Sequence, residues 1–209
     1  MQKTSHQSKV FHFLFVTLPR LFANFKGRKM NTTITVKDKQ FRLSITEVEI
    51  AKAVNNVATQ INQDLAGKNP LFLCVLNGAF MFASDLMKQI NFPCEISFVK
   101  LASYQGTTST GTIKEMIGIN ESIAGRNIVI VEDIVDTGFT MQNIIKTLQQ
   151  KGAEEIHVCT FLQKPEALKC NIDVHYAAIK IPNDFIVGYG LDYDGYGRNL
   201  KEIYTVIND

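Results

Sequence analysis

From Thr32 onward the chain alternates short continuous apolar runs with stretches whose apolar residues recur every three or four positions. Ile34 to Leu43 alternates enough to predict one or two short strands. Thr46-Glu-Val-Glu49 is a capping-box sequence. The Thr hydroxyl and Glu carboxylate of such a box satisfy orphan amides at a helix start. Ile50, Val54, Val57, Ile61 and Leu65 follow at helical spacing, and Gly67 closes the helix. Leu71–Leu76 is uninterrupted and apolar, as in a strand buried on both faces. Asn77-Gly78 breaks it, and Ala79–Ile90 reads as a helix.

The same rhythm continues toward the C-terminus. Cys94–Leu101 reads as a strand, and Ala102–Thr112 as a polar Ser-, Thr- and Gly-bearing loop with Tyr104 as its one aromatic residue. Ile113–Ile119 and Asn127–Val131 are predicted strands around a turn at Glu121–Arg126. Phe139–Gln150 is a predicted helix stopped by Gly152, and Glu155–Leu162 the next strand. Val174–Ile181 and Phe185–Val187 add shorter strands. Alternating strands and helices predict an α/β fold with a mostly parallel sheet flanked by helices. No internal repeat is present.

Composition narrows the class. The chain has 209 residues, 45% of them hydrophobic, which fits one folded domain and excludes a disordered chain. No apolar run approaches the ~20 residues that span a bilayer. Residues 1–29 hold six of the 22 basic residues and no Asp or Glu. The 16 basic residues left against 20 acidic ones give residues 30–209 a net charge of −4, unlike a nucleic-acid binder. Cys74, Cys94, Cys159 and Cys170 form neither a C-x-x-C pair nor a metal spacing. Reduced thiols and a cytoplasmic location are expected.

Residues 1–29 read as an extension outside the domain, which is expected to span residues 30–209. The extension's basic start and apolar Val10–Leu18 run have the outline of a signal peptide. Ala23-Asn-Phe-Lys26 is a poor cleavage site, however. A third reading takes Met30 as the true start, because Lys26-Gly-Arg-Lys-Met30 can be encoded by a purine run of the ribosome-binding kind.

The strongest chemical signal is Val131-Glu132-Asp133-Ile-Val-Asp136-Thr137-Gly138-Phe139-Thr140. Ligands of open α/β sheets bind outside the carboxyl ends of strands, where this string should lie. Gly138 lets the backbone approach a ligand closely. Helix-start amides with the Thr137 and Thr140 hydroxyls suit a phosphate monoester. Glu132 and Asp133 would repel that phosphate. Sugar hydroxyls and Mg²⁺ are what adjacent carboxylates can hold. Asp136 and Thr137 acting as ordinary helix caps is the plainer alternative. It leaves the two further carboxylates unexplained.

This string resembles the phosphoribosyl diphosphate signature of the type I phosphoribosyltransferases, and the hypoxanthine(-guanine) phosphoribosyltransferases are most similar. The resemblance runs from about Phe41 to Val206. It implies that fold, with a small hood of N- and C-terminal segments, and Mg²⁺ as cofactor. Glu132 and Asp133 would hold the ribose hydroxyls directly and through Mg²⁺. Asp136–Thr140 would cradle the 5-phosphate, with Asp136 also the general base near N7 of the purine. Lys164 would contact the exocyclic oxygen at C6. Phe185 would stack on the base, and main-chain groups of Ile186 and Asp192 would read its edge. Asp192 would also bind a second Mg²⁺ through water. Arg198 and the Leu76-Asn77-Gly78 turn would hold pyrophosphate, and Ser103-Tyr104 would begin a loop closing over the reacting centre. Some members carry Lys where this chain has Asn77, so a charge contact and any role of that Lys in subunit coupling do not carry over.

The implied activity is purine salvage. Hypoxanthine or guanine plus 5-phospho-α-D-ribose 1-diphosphate would give the purine 5′-mononucleotide and pyrophosphate. Expected partners are those small molecules and further copies of the chain, as a dimer or tetramer, with no nucleic acid and no membrane. A non-catalytic sensor of the sugar diphosphate is the alternative, and it would need a basic face or an appended domain. A transferase for adenine would place the base's amino donor against the Lys164 donor. The aromatic purine segment disfavours orotate. His157 and His175, within strand-like runs, read as structural.

Overall fold

The computed structural model describes residues 32–102, 115–118 and 122–207. The expectations placed on residues 1–29, Met30, Ser103, Tyr104 and most of the 102–112 loop lie outside them. Two strands, β1 (Thr33–Val36) and β2 (Lys39–Ile45), precede helix α1 (Glu47–Asp64). Both halves of the capping box form, with Glu49 Oε2 accepting from Thr46 N at 2.8 Å and Thr46 Oγ1 from Glu49 N at 3.3 Å. Ile50, Val54, Val57 and Ile61 make the buried stripe of α1, and Gly67 takes a positive φ just beyond its end.

Strand β3 (Leu71–Leu76) leads into α2 (Phe80–Met87), then come β4 (Glu95–Ala102), β5 (Glu115–Ile117) and β6 (Asn127–Val135). Helix α3 (Phe139–Gln150), β7 (Glu155–Gln163), β8 (Tyr176–Lys180), β9 (Ile186–Val187) and β10 (Ile203–Val206) complete the order. The main sheet runs β5-β4-β3-β6-β7-β8, parallel except for β5. Its two faces are read off alternate residues of β3. Phe72 and Cys74 join α1, α2, Val129, Val131 and Phe161. Leu71, Leu73 and Val75 join α3, Ile128, Ile130 and Leu148. Helices on both faces leave only the strand ends open.

A second, antiparallel sheet of order β1-β2-β10-β9 forms the hood. Its small core is Val36, Phe41, Val187 and Tyr204. Helix α2 ends at Met87 rather than near Ile90, where tighter turns from Gln89 N to Leu86 O and Ile90 N to Met87 O take over. Of the described residues, no helix is long and apolar enough to cross a membrane. All four cysteines are free thiols.

Candidate active site

Strand β6 runs four residues past the expected end at Val131. Its ladder with β7 continues through Glu132–Thr160, Ile134–Leu162 and Val135–Gln163. The two carboxylates therefore lie within the strand, not beyond it. Pairing with a nine-residue neighbour outweighs the low strand preference of acidic residues. Glu132 is 9% exposed, and its Oε2 is buried without a hydrogen-bond partner. Burial, and then the charge of Asp133 beside it, push its pKa well above the usual carboxylate range. Asp133 is half-buried, and its Oδ1 accepts from Ile134 N at 2.8 Å.

The turn into α3 is made at Gly138, where φ is +85°, and no side chain caps the helix. Asp136 and Thr137 are thus not used as caps, and the plainer reading of these two residues does not hold. Glu132, Asp136, Thr137, Gly138 and Thr140 instead line one cavity of about 220 Å³. A cavity that joins a helix start to an unpartnered carboxylate oxygen offers amides to an anion and an acceptor to a hydroxyl or hard cation. Among the described residues, no three His, Cys, Asp or Glu side chains gather to hold a metal unaided.

Lys164 follows β7 directly, and its backbone N donates to Val135 O at 2.9 Å. The residue is only 8% exposed, yet its Nζ reaches Asp136 Oδ2 at 3.2 Å. The carboxyl ends of β6 and β7 thereby bring the two polar groups together.

A second string of contacts joins the turn after β3 to the hood. The Leu76–Asn77 peptide is cis, Asn77 is exposed and Gly78 is buried. A Cβ on Gly78 would overlap the Asp133 carboxylate, and one on Gly190 would overlap Gly78 O. Gly190 also has a φ of +100°. Arg198 Nη1 donates to Gly190 O at 2.8 Å, and its Nη2 pairs with Asp192 Oδ1 at 2.7 Å. Asp192 Oδ2 accepts from Gly195 N at 2.6 Å.

Phe185 is 46% exposed and packs on Phe41 and, edge-on, on Tyr193 with ring centroids 5.7 Å apart. Ile186 is buried in β9 opposite Thr205. These two belong to the hood and are not among the residues lining the cavity around Asp136. Phe139 is exposed at the start of α3.

Sequence reasoning missed Gly190 as the point where the purine segment meets the turn at Gly78. The paired glycines of Gly188-Tyr-Gly190 were the available signal. It also missed Cys170, whose Sγ donates to Thr137 O at 3.4 Å, and nothing in its spacing marked it.

A model of the phosphoribosyl transferase domain family matches residues 44–194. A hypoxanthine-guanine phosphoribosyltransferase of Streptococcus pneumoniae is 37% identical over 163 residues, covering 78% of this chain and 91% of that protein. One from Mycobacterium avium is 35% identical over 183 residues, covering 87% and 88%. The crystal structure of a hypoxanthine phosphoribosyltransferase from Staphylococcus aureus superposes with a TM-score of 0.73 at 36% identity, covering 79% of this chain and 91% of that one. The chain belongs to the type I phosphoribosyltransferase family, in the branch of the hypoxanthine-guanine phosphoribosyltransferases. Phosphoribosyl transfer is the class of reaction that membership brings.

Proposed function

We propose that the chain transfers the phosphoribosyl group of 5-phospho-α-D-ribose 1-diphosphate to hypoxanthine and guanine, releasing pyrophosphate. The observation that carries this reading is the pairing of Lys164 with Asp136 beside the cavity lined by Glu132 and Thr137. A buried ammonium donor suits the oxygen at C6 of a 6-oxopurine, and a carboxylate beside it suits the proton on N7. As N9 bonds to C1 of the sugar and the C1–oxygen bond breaks, Asp136 accepts that N7 proton. The ring becomes positive and the leaving group negative, so carboxylates near the sugar and a cation near the diphosphate lower the barrier.

In this reading Glu132 and Asp133 hold the ribose hydroxyls, and Thr137, Gly138, Phe139 and Thr140 hold the 5-phosphate. Phe185 stacks on the base, while Ile186 and Asp192 read its edge through main-chain groups. The Leu76-Asn77-Gly78 turn and Arg198 hold pyrophosphate, with Ser103 and Tyr104 beginning the loop that covers it. Arg198 would release Asp192 to do so, since the two are paired in the structure. Glu132, Asp133 and Asp192 would hold Mg²⁺, which neutralises diphosphate charge when bound.

The test is pyrophosphate release with Mg²⁺, the sugar diphosphate and hypoxanthine, guanine, xanthine, adenine or no base. Turnover with hypoxanthine or guanine and none with adenine supports the reading. Tight binding of the sugar diphosphate without turnover on any base would replace it with the sensor.

A further inference from the structure

The segment joining β7 to β8 touches the phosphate loop at each position from Val135 to Gly138. Lys164 N donates to Val135 O at 2.9 Å, and Lys164 Nζ reaches Asp136 Oδ2 at 3.2 Å. Thr137 O accepts twice, from Lys169 N at 3.0 Å and from Cys170 Sγ at 3.4 Å. Beneath Gly138, a Cβ would lie 2.7 Å from Cys170 Sγ, 3.1 Å from Ile172 Cδ1 and 3.2 Å from Leu168 Cδ2. The Gly138 carbonyl is taken by Gln142 N of α3 at 2.9 Å. Carbonyls 135, 137 and 138 are therefore all engaged within the protein. Among the described residues, no backbone carbonyl accepts from the N–H of Thr137 or Gly138.

This one-sidedness has a chemical meaning. An anion site built from backbone needs N–H groups facing the ligand and carbonyls facing away. A loop with a glycine at its apex can rotate its peptides, so something must hold their sense. We propose that the Lys164–Ile172 connection is the positioning element of the phosphate loop. Its main-chain and thiol donors anchor the Thr137 carbonyl inward, and its apolar side chains stop Gly138 from sinking. The loop amides are thereby kept toward the cavity for a phosphate monoester. Lys169 and Cys170 are positioning residues here and need not touch substrate. The inference rests on the phosphoribosyltransferase reading and adds to it a segment outside the signature string.

Three variants of the full chain test this. Cys170→Leu adds bulk under Gly138, Cys170→Ala removes the donor without bulk, and Cys170→Ser keeps a donor. The readouts are KM for the sugar diphosphate, KM for hypoxanthine at saturating sugar diphosphate, kcat, and the calorimetric Kd of IMP. Cys170→Leu is expected to raise the sugar-diphosphate KM and the IMP Kd about tenfold or more, since small misplacements of binding groups have effects of that size. Cys170→Ala should shift both the same way by about threefold, and Cys170→Ser should restore them. The hypoxanthine KM and kcat should stay within about twofold. A purely structural role would lower kcat through loss of active protein and leave both KM values and the IMP Kd unchanged; that result overturns the inference. If Cys170→Leu does not fold, an unchanged IMP Kd in Cys170→Ala overturns it equally. Absence of both IMP binding and turnover in the unaltered chain would instead remove the parent reading, and this inference with it.

Discussion

Lys164 Nζ lies 3.2 Å from Asp136 Oδ2, although 28 residues separate the two along the chain. The Lys164 side chain is almost wholly buried, whereas that of Asp136 is nearly half exposed. The lysine is thus delivered from inside the protein to a carboxylate that still faces outward. Replacing it removes a donor for the base and leaves the carboxylate without its partner. Lys164→Met should lower kcat/KM for hypoxanthine by about 10–100-fold, the worth of a hydrogen bond to a charged group. Steady-state kinetics with equal stability by thermal melting would check this, and an unchanged kcat/KM would remove Lys164 from base recognition.

Asp136 is tested by the smallest change that abolishes its basicity. Asp136→Asn keeps size and hydrogen-bonding reach. It should lower kcat by about 10²–10⁴ if the residue takes the N7 proton. The Kd for IMP should change little. Loss of IMP affinity with kcat preserved would make Asp136 a binding group only.

Glu132 makes a stability prediction with a definite sign. Burial and the neighbouring Asp133 raise its pKa in the folded chain. Above its ordinary value near 4.5 the folded state therefore holds more protons than the unfolded one, and stability falls as pH rises toward the raised value. Glu132→Gln removes this penalty. At pH 7 the variant should be more stable than the parent and melt at a higher temperature, with the gain fading as pH approaches 4.5. The same variant should bind the sugar diphosphate more weakly. Melting curves across pH would show the trend, and a variant less stable than the parent at pH 7 would contradict it.

Gly190 couples the purine segment to the turn at Gly78. Its φ of +100° and the Gly78 carbonyl in the place of a Cβ both exclude a side chain. Gly190→Ala should cost about 1–3 kcal/mol in stability and lower kcat/KM, because the turn must shift. Gly67→Ala, also at positive φ but with open space around it, is the control. Equal losses in both would mean that strain alone, not the contact with Gly78, is at work.

Most of the fold was legible because its signals are local. Leu71–Leu76 is a strand because six apolar residues must be covered on both faces, and the structure covers them with β4, β6 and helices on each side. The capping box at Thr46 and the limits of α3 were equally local and were found where expected. The family signature could be read for the same reason, since residues 132–140 are contiguous. Strand β10 carried no such signal. Four residues acquire strand structure only by pairing with β2 and β9.

What the residues alone determined, then, is the order of elements, the class of fold and the membership in a family. What tertiary structure decided is which groups meet and in what state. The β6–β7 ladder draws Glu132 and Asp133 into a strand, and burial there keeps a proton on Glu132 more readily. The β7–β8 connection sets Lys164 on Asp136 and Cys170 under Gly138. Gly78 and Gly190 meet across 112 residues because neither has a Cβ to keep them apart. Hydrophobic period and turn chemistry act over a few residues and are written in sequence. Contact, burial and electrostatic neighbourhood depend on segments far apart in the chain, and only folding brings them together.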